Sequence, residues 1–259
     1  MNKISPNTYA SFYRSTLLND IVPFWMTHAL DSADGAVNNC LDDTGRLVST
    51  DRFLWSQGRA LWTFSALYNR IEKQPEWLAV AERIFHYLLT HGRDAEGRWM
   101  FRLDDAGHVL EKDVSIFVDG FVLNGLGEYY RATRNSQAAD LAIETYNKVL
   151  DRLRHPGSYN IRPYDIPAGM KNLGVSMIFS SFFHQLGIAL NRSDICDEGY
   201  NLAVDLLRDF RQPSGDLYTE FVTIDHKSSD NPLTKVCVPG HVIEAMWFLI
   251  AIFEHSNQK

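Results

Sequence analysis

Cysteine is scarce in this sequence. Among 259 residues there are three, Cys40, Cys196 and Cys237. The number is odd, the spacings are wide and no CxxC occurs. Neither a disulfide framework nor a structural zinc site is expected from that pattern, and a reducing cytoplasm suits it best. Basic runs are missing too. Lysine and arginine number 25 against 32 acidic residues, a net charge of −7 with pI near 5.7, and the cations are scattered. Nucleic acid is therefore not an expected partner. Long apolar runs are also absent. The longest, near 245–253, falls well short of the roughly 20 residues that span a bilayer, and the opening MNKISPNTYASFYRS has no apolar segment of a secretory leader. The expectation is a cytoplasmic protein with no membrane association. No GxGxxG follows a strand, and no Walker loop or GxSxG elbow appears, so nucleotide chemistry and serine hydrolysis lack support. No cofactor and no metal is expected.

What is abundant is helical periodicity. The chain is 45% hydrophobic and 12% aromatic, enough for a large core. Residues 7–30 set Tyr9, Phe12, Tyr13, Leu17, Ile21 and Phe24 at three-to-four spacing, and residues 52–72 do the same with Phe53, Leu54, Leu61, Phe64 and Leu67. Further helices are expected at 76–91, 114–133, 136–154, 170–190, 194–211 and 240–255. Strand alternation is confined to RWMFRL (98–103) and LYTEFVTI (217–224), which read as pieces of hairpins. The class is all-α. The connections at 73–75, 134–135 and 191–193 are short, whereas those at 31–51, 92–113, 155–169 and 212–239 are long and rich in Gly, Asp and Pro. Short links make antiparallel helix hairpins. Long links lead to helices starting near 52, 114, 170 and 240, a helical-hairpin repeat of 55–70 residues. The reading is one domain, 1–259, in which the long loops gather at one end of an inner helical layer and carry function there. An array ending on a helix as apolar as 242–253 expects cover from further chain or from a second subunit, as in a homodimer.

Three stretches carry candidate chemistry. In WSQGRALW (55–62), Trp55, Arg59 and Trp62 fall on one helical face. Two indoles flanking a guanidinium suit a sugar, but the same spacing suits core tryptophans with a cation–π partner. Gly58 inside that helix costs about 1 kcal/mol against Ala, which points to a close approach. In PGHVIEAMW (239–247), His241 opens a helix. A helix N-terminus disfavours imidazolium, so His241 is a candidate neutral base, with Glu244 one turn on to orient it and Trp247 continuing the face. A capping histidine with a dipole-complementing glutamate is the alternative, and a metal site from HxxE lacks a third ligand. Asp119, early in an inner helix, is a substrate contact or a helix-terminus charge. Asn172 and Ser176 project from the start of another inner helix. His184 is read as an interior residue, His255 as part of a frayed tail, and the other histidines carry no signal.

Together these stretches resemble the N-acylglucosamine 2-epimerase family. The similarity is carried by PFWMTHALDSADGAVNNCLDDTGRLVSTDRFLWSQGRALWTFSALYNR (23–70), FVDGFVLNGLGEYYRAT (117–133) and DNPLTKVCVPGHVIEAMWFL (230–249). The resemblance implies an (α/α)6 barrel of twelve helices, of which about eight are present here. It implies a small-molecule sugar, N-acetylglucosamine/N-acetylmannosamine or mannose/glucose. It implies that His241 is one of two catalytic histidines, that Glu244 supports it, that Arg59 holds the sugar near O1 and O2, and that Trp247 and Asn172 line the site. Departures from the family pattern are Gly35, Ala36 and Val37 where Gly-Gly-Tyr is common, Lys235 in place of an expected substrate-binding Arg, Val238 in place of Asn, and Ser176 where some members have His.

The reaction implied is removal of the C2 proton of an open-chain aldose to a cis-enediolate, followed by reprotonation. Return to C2 gives the epimer, and return to C1 gives the ketose. The second catalytic histidine of the family falls beyond the segment matched here, so a chain of this length is expected to show impaired epimerase activity. Two alternatives stand beside this one: a glycoside hydrolase using Asp119 and Glu244 as paired acids, and a partial barrel that only binds sugar.

Overall fold

The computed structural model describes residues 6–256, apart from 213, 214, 216 and 228; the first five residues of the opening stretch lie outside the described residues. Helix α1 (Pro6–Thr16) passes through a π-helical turn (Leu17–Ile21) into α2 (Val22–His28), so the expected 7–30 helix is one rod in three pieces. The others are α3 (Leu54–Ala66, extended by a π-turn to Ile71), α4 (Pro75–His91), α5 (Ile116–Thr133), α6 (Ser136–Arg154), α7 (Leu173–Leu190), α8 (Ser193–Asp209) and α9 (Pro239–Ser256). Local chemistry explains the ends. Pro75 opens α4, where its missing N–H costs nothing. Asn135 and Asn172 cap α6 and α7 through their side-chain oxygens. Asn191 closes α7 in the left-handed conformation that Asn tolerates.

The short links produce hairpins and two layers. Helices α3, α5, α7 and α9 pack in sequence as the inner layer, and α4, α6 and α8 cover them from outside. The sequence encodes the split: α6 and α8 are amphipathic, whereas α5 and α7 bury residues around most of their circumference. Helix α7 is long and apolar enough to cross a membrane by length and composition, but most of it is buried as a core helix. Between α3 and α5 the backbones nearly touch. A Cβ at Gly58 would lie 2.7 Å from Phe121 C and Val122 N, and one at Gly125 would lie 2.5 Å from the Gly58 carbonyl oxygen, the close approach expected at Gly58.

The long loops carry the strands, with a topology different from two local hairpins. Strand β1 (Cys40–Leu41) pairs with β2 (Leu47–Ser49). Strand β3 (Arg52–Phe53) pairs with β4 (Arg102–Leu103), which also pairs with β5 (Val109–Glu111). Strand β6 (Met170–Asn172) pairs antiparallel with β7 (Phe221–Thr223) across about fifty residues. Strands β3 and β6 run straight into α3 and α7. Thus the LYTEFVTI segment is tied to the start of an inner helix instead of folding on itself. His255 is likewise held, its Nδ1 lying 3.0 Å from Nε2 of buried His184, so the last turn of α9 is docked on α7 and not frayed.

Candidate active site

Helices α3, α5, α7 and α9 surround a cleft of about 920 Å³. Its walls follow helical spacing. Arg59, Trp62 and Thr63 come from α3, Phe117, Phe121 and Asn124 from α5, Gly174, Met177, Ile178, Ser181, Phe182 and Gln185 from α7, and His241, Glu244 and Phe248 from α9. Two long loops close the mouth, one with Tyr164 and Asp165, the other with Glu220, Leu233, Val236 and Val238.

Arg59 sits with its guanidinium 3.9 Å from the Phe121 ring centroid and 5.7 Å from that of Trp55. No carboxylate forms an ion pair with it among the described residues. Burial pushes its pKa down from the ordinary arginine value, and the charge of Glu244 works against that. A guanidinium held by aromatic faces, with no ion-pair partner among the described residues, keeps donors for a ligand oxygen. The indole N–H of Trp62 and the side-chain carbonyl oxygen of Gln185, both on residues of the cleft wall, are buried with no hydrogen-bond partner among the described residues.

His241 is the third residue of α9, and its side chain is half-exposed toward the cleft. Its Nδ1 lies 3.0 Å from Oε2 of Glu220, whose carboxylate is buried and whose Oε1 accepts from Asn172 Nδ2 at 2.9 Å. The carboxylate bonded to the imidazole is therefore Glu220, not Glu244. Sequence reasoning missed it because Glu220 stands alone in a strand-like stretch, 21 residues from His241.

The other expected site residues divide. Trp62 and Asn172 reach the cleft; Trp55, Asp119, Ser176, Lys235 and Trp247 do not line it. Trp247 is six residues past His241, about 120° around the helix at 3.6 residues per turn, and is 73% exposed. Phe248, at seven, continues the His241 face. Trp55 lies one turn above Arg59, against Phe53 and Phe101. Ser176 and Asp119 fall on the wrong sides of α7 and α5. Lys235 is an exposed residue of the turn Pro232–Lys235, where Leu233 and Val236 face inward instead. Asp119 is buried against Arg152 of the outer layer at 2.5 Å, beside Asp113, and burial pushes its carboxyl up to about 7. It cannot pair across the cleft with Glu244, so the two acids of a hydrolase are not assembled. Among the described residues no cluster of three or more His, Cys, Asp or Glu side chains could hold a metal ion.

The sequence model of the N-acylglucosamine 2-epimerase (GlcNAc 2-epimerase) family matches residues 35–168, more than half of the chain. The chain belongs to the N-acylglucosamine 2-epimerase family. Within that family it is 27% identical over 240 residues to N-acylglucosamine 2-epimerase of Bos taurus, covering 90% of this chain and 57% of that protein. It is 26% identical over 245 residues to cellobiose 2-epimerase of Dictyoglomus turgidum (strain DSM 6724 / Z-1310), covering 90% of this chain and 62% of that protein. The solved structure of a sugar epimerase from a ruminal bacterium superposes with a TM-score of 0.81 at 19% identity, over 96% of this chain and 67% of that one. That likeness shows the fold, the (α/α)6 barrel of the epimerases. This family member thus spans little more than half the length of the bovine protein it matches.

Proposed function

We propose that this chain binds an open-chain aldose and moves its C2 proton, the chemistry of a carbohydrate 2-epimerase. N-acetylglucosamine/N-acetylmannosamine is the first substrate pair, on the strength of the bovine relative, and mannose/glucose the second. The observation that carries the reading is one arrangement: a half-exposed imidazole on a buried carboxylate, in the same cleft as a guanidinium that has no ion-pair partner among the described residues. His241 Nε2 takes the proton from C2. The C–H electron pair becomes the C1=C2 bond of an enolate, which is a cis-enediolate when C2 carries a hydroxyl as in mannose or glucose, and the negative charge collects on O1. Arg59 offsets that charge, and because its hydration is already partly removed it acts in a medium of low dielectric. Protonation of C2 from the opposite face by a water in the open cleft gives the epimer, and the proton held on His241 neutralises the hydroxide left behind.

A second reading, aldose–ketose isomerisation, is favoured by one observation. Among the described residues lining the cleft, His241 is the one imidazole. On mannose or glucose a single base on one face carries a proton from C2 to C1, with the O2 proton passing to O1, whereas epimerisation requires proton delivery to both faces. The test is proton NMR in deuterium oxide with N-acetylmannosamine, N-acetylglucosamine, mannose and glucose in turn. The wild-type chain is expected to wash out the C2–H signal of at least one of them, and His241→Ala to slow that exchange by about 10²-fold or more. Epimer accumulation supports the first reading and ketose the second. Undiminished exchange in His241→Ala overturns both.

A further inference from the structure

Glu220 occupies a more constrained position than any other acid of the cleft. Its backbone N–H donates to the Val236 carbonyl at 2.8 Å, and its carbonyl accepts from Leu173 N–H at 2.9 Å, so residue 220 is fixed both to the α9 approach and to the start of α7. Its carboxylate touches His241 through Oε2 and Asn172 through Oε1. The other charged groups of the cleft are Arg59 on α3, Glu244 on α9 and Asp165 on the mouth loop, and none of them bonds either partner.

The orientation of Asn172 is not free. Its Oδ1 accepts from the backbone N–H of Val175, a group that can only donate, and this bond caps α7. The amide NH2 is therefore aimed at residue 220 and requires an acceptor there. An ionised carboxylate accepts from both sides at once. The imidazole nitrogen facing it must then carry the hydrogen, and in the neutral ring the lone pair sits on Nε2.

We propose that Glu220 and Asn172 are positioning residues that set the tautomer of His241, presenting Nε2 to the cleft as a base. For activity this rests on the reading of His241 given above; for the tautomer it rests on the hydrogen bonds alone. The consequence is specific. In Glu220→Gln the new side chain has one acceptor and one donor. The capped Asn172 claims the acceptor, so the introduced NH2 faces His241 Nδ1. That nitrogen must then accept, the hydrogen moves to Nε2, and the cleft meets a donor in place of a base. Adding Asn172→Asp reverses the demand. The introduced carboxylate still caps α7 and accepts from the amide, whose oxygen turns to His241 and restores Nδ1–H.

The experiment is long-range nitrogen–proton NMR on the full chain labelled in its histidine rings, above the imidazole titration, with His241→Ala assigning the signal. Wild type is expected as the Nδ1–H tautomer, E220Q as Nε2–H, and N172D/E220Q as Nδ1–H again. Solvent exchange of C2–H is expected to fall about 10²- to 10⁴-fold in E220Q, the range a positioned base supplies, and to recover at least about tenfold in the double variant. Wild type found as Nε2–H overturns the proposal, and that measurement does not depend on E220Q folding. So does E220Q that keeps Nδ1–H, or that changes tautomer with exchange intact. If His241→Ala keeps full exchange, the functional reading fails while the tautomer measurement still decides this one.

Discussion

Replacing Gly58 by alanine tests the closest contact in the fold and its link to the site. Helix propensity alone predicts stabilisation, since alanine in a helix interior is worth about 1 kcal/mol over glycine. The structure predicts the opposite. The new methyl would lie 2.7 Å from Phe121 C and Val122 N and 2.8 Å from Phe121 O, against a normal contact of about 3.5–4.0 Å. All three atoms are backbone, so no rotamer change relieves them, and α3 and α5 must separate by about 1 Å. Overpacking of this kind costs typically about 1–3 kcal/mol, occasionally more. The contact also cannot be shared out, because the Gly58 carbonyl is itself 2.5 Å from where a Cβ on Gly125 would be. We expect a net loss of up to about 2 kcal/mol after the propensity gain, or a Tm lowered by up to roughly 8 °C for a chain of this size. Calorimetry or circular dichroism melts would read it. The same shift slides Phe121 from beneath the Arg59 guanidinium, now 3.9 Å from its ring, so sugar affinity by titration calorimetry should fall as well. A variant that melts at or above wild type would refute the close approach, and with it the account of how Arg59 is held.

Two further outcomes follow from buried charge. Asp119 is raised to about 7 in the folded chain, chiefly by burial, from an ordinary value of 3.8. Between about pH 4 and 7 the folded state then keeps a proton that the unfolded state has released, so this group's contribution to stability falls as pH rises through that window and is level above it. The slope is at most about 1.4 kcal/mol per pH unit for one proton. Asp119→Asn should flatten the dependence of Tm on pH there, and identical slopes for the two chains would count against the raised value. Arg52, 2% exposed, pairs with Asp31 and Asp34 and so pins the 31–51 loop. Arg52→Met leaves two carboxylates facing an empty partner and should cost about 3–5 kcal/mol. Adding Asp31→Asn and Asp34→Asn should return part of that in denaturant titrations, and no recovery would mean the cation acts through packing alone.

The contrast between what was legible in the sequence and what was not has a physical cause. Among the described residues, the eight helical rods, their hairpin pairing and the gathering of long loops at one end of the inner layer all follow from short-range rules: apolar spacing near 3.6, caps, and loop length. Those rules also place residues on faces, and where they were applied closely they succeed. Arg59 and Trp62, three apart, share the cleft, and so do His241 and Glu244. They fail where a face is extended too far, since three-residue steps drift around a helix. That is why Trp247 points outward while Phe248 does not. They also say nothing of depth along a helix axis, and so Trp55 on the right face ends above the cleft. The partner of His241 was out of reach for a different reason. The pairing of β6 with β7 brings Glu220 beside Asn172 across 48 residues, and the Val236 carbonyl then holds it against the start of α9. No local pattern encodes that meeting. What the sequence does encode is each half of it separately: an asparagine where α7 needs a cap, and a histidine where α9 begins. The site exists because two helix starts, each required for its own helix, are joined by one carboxylate from a strand that had to be paired somewhere.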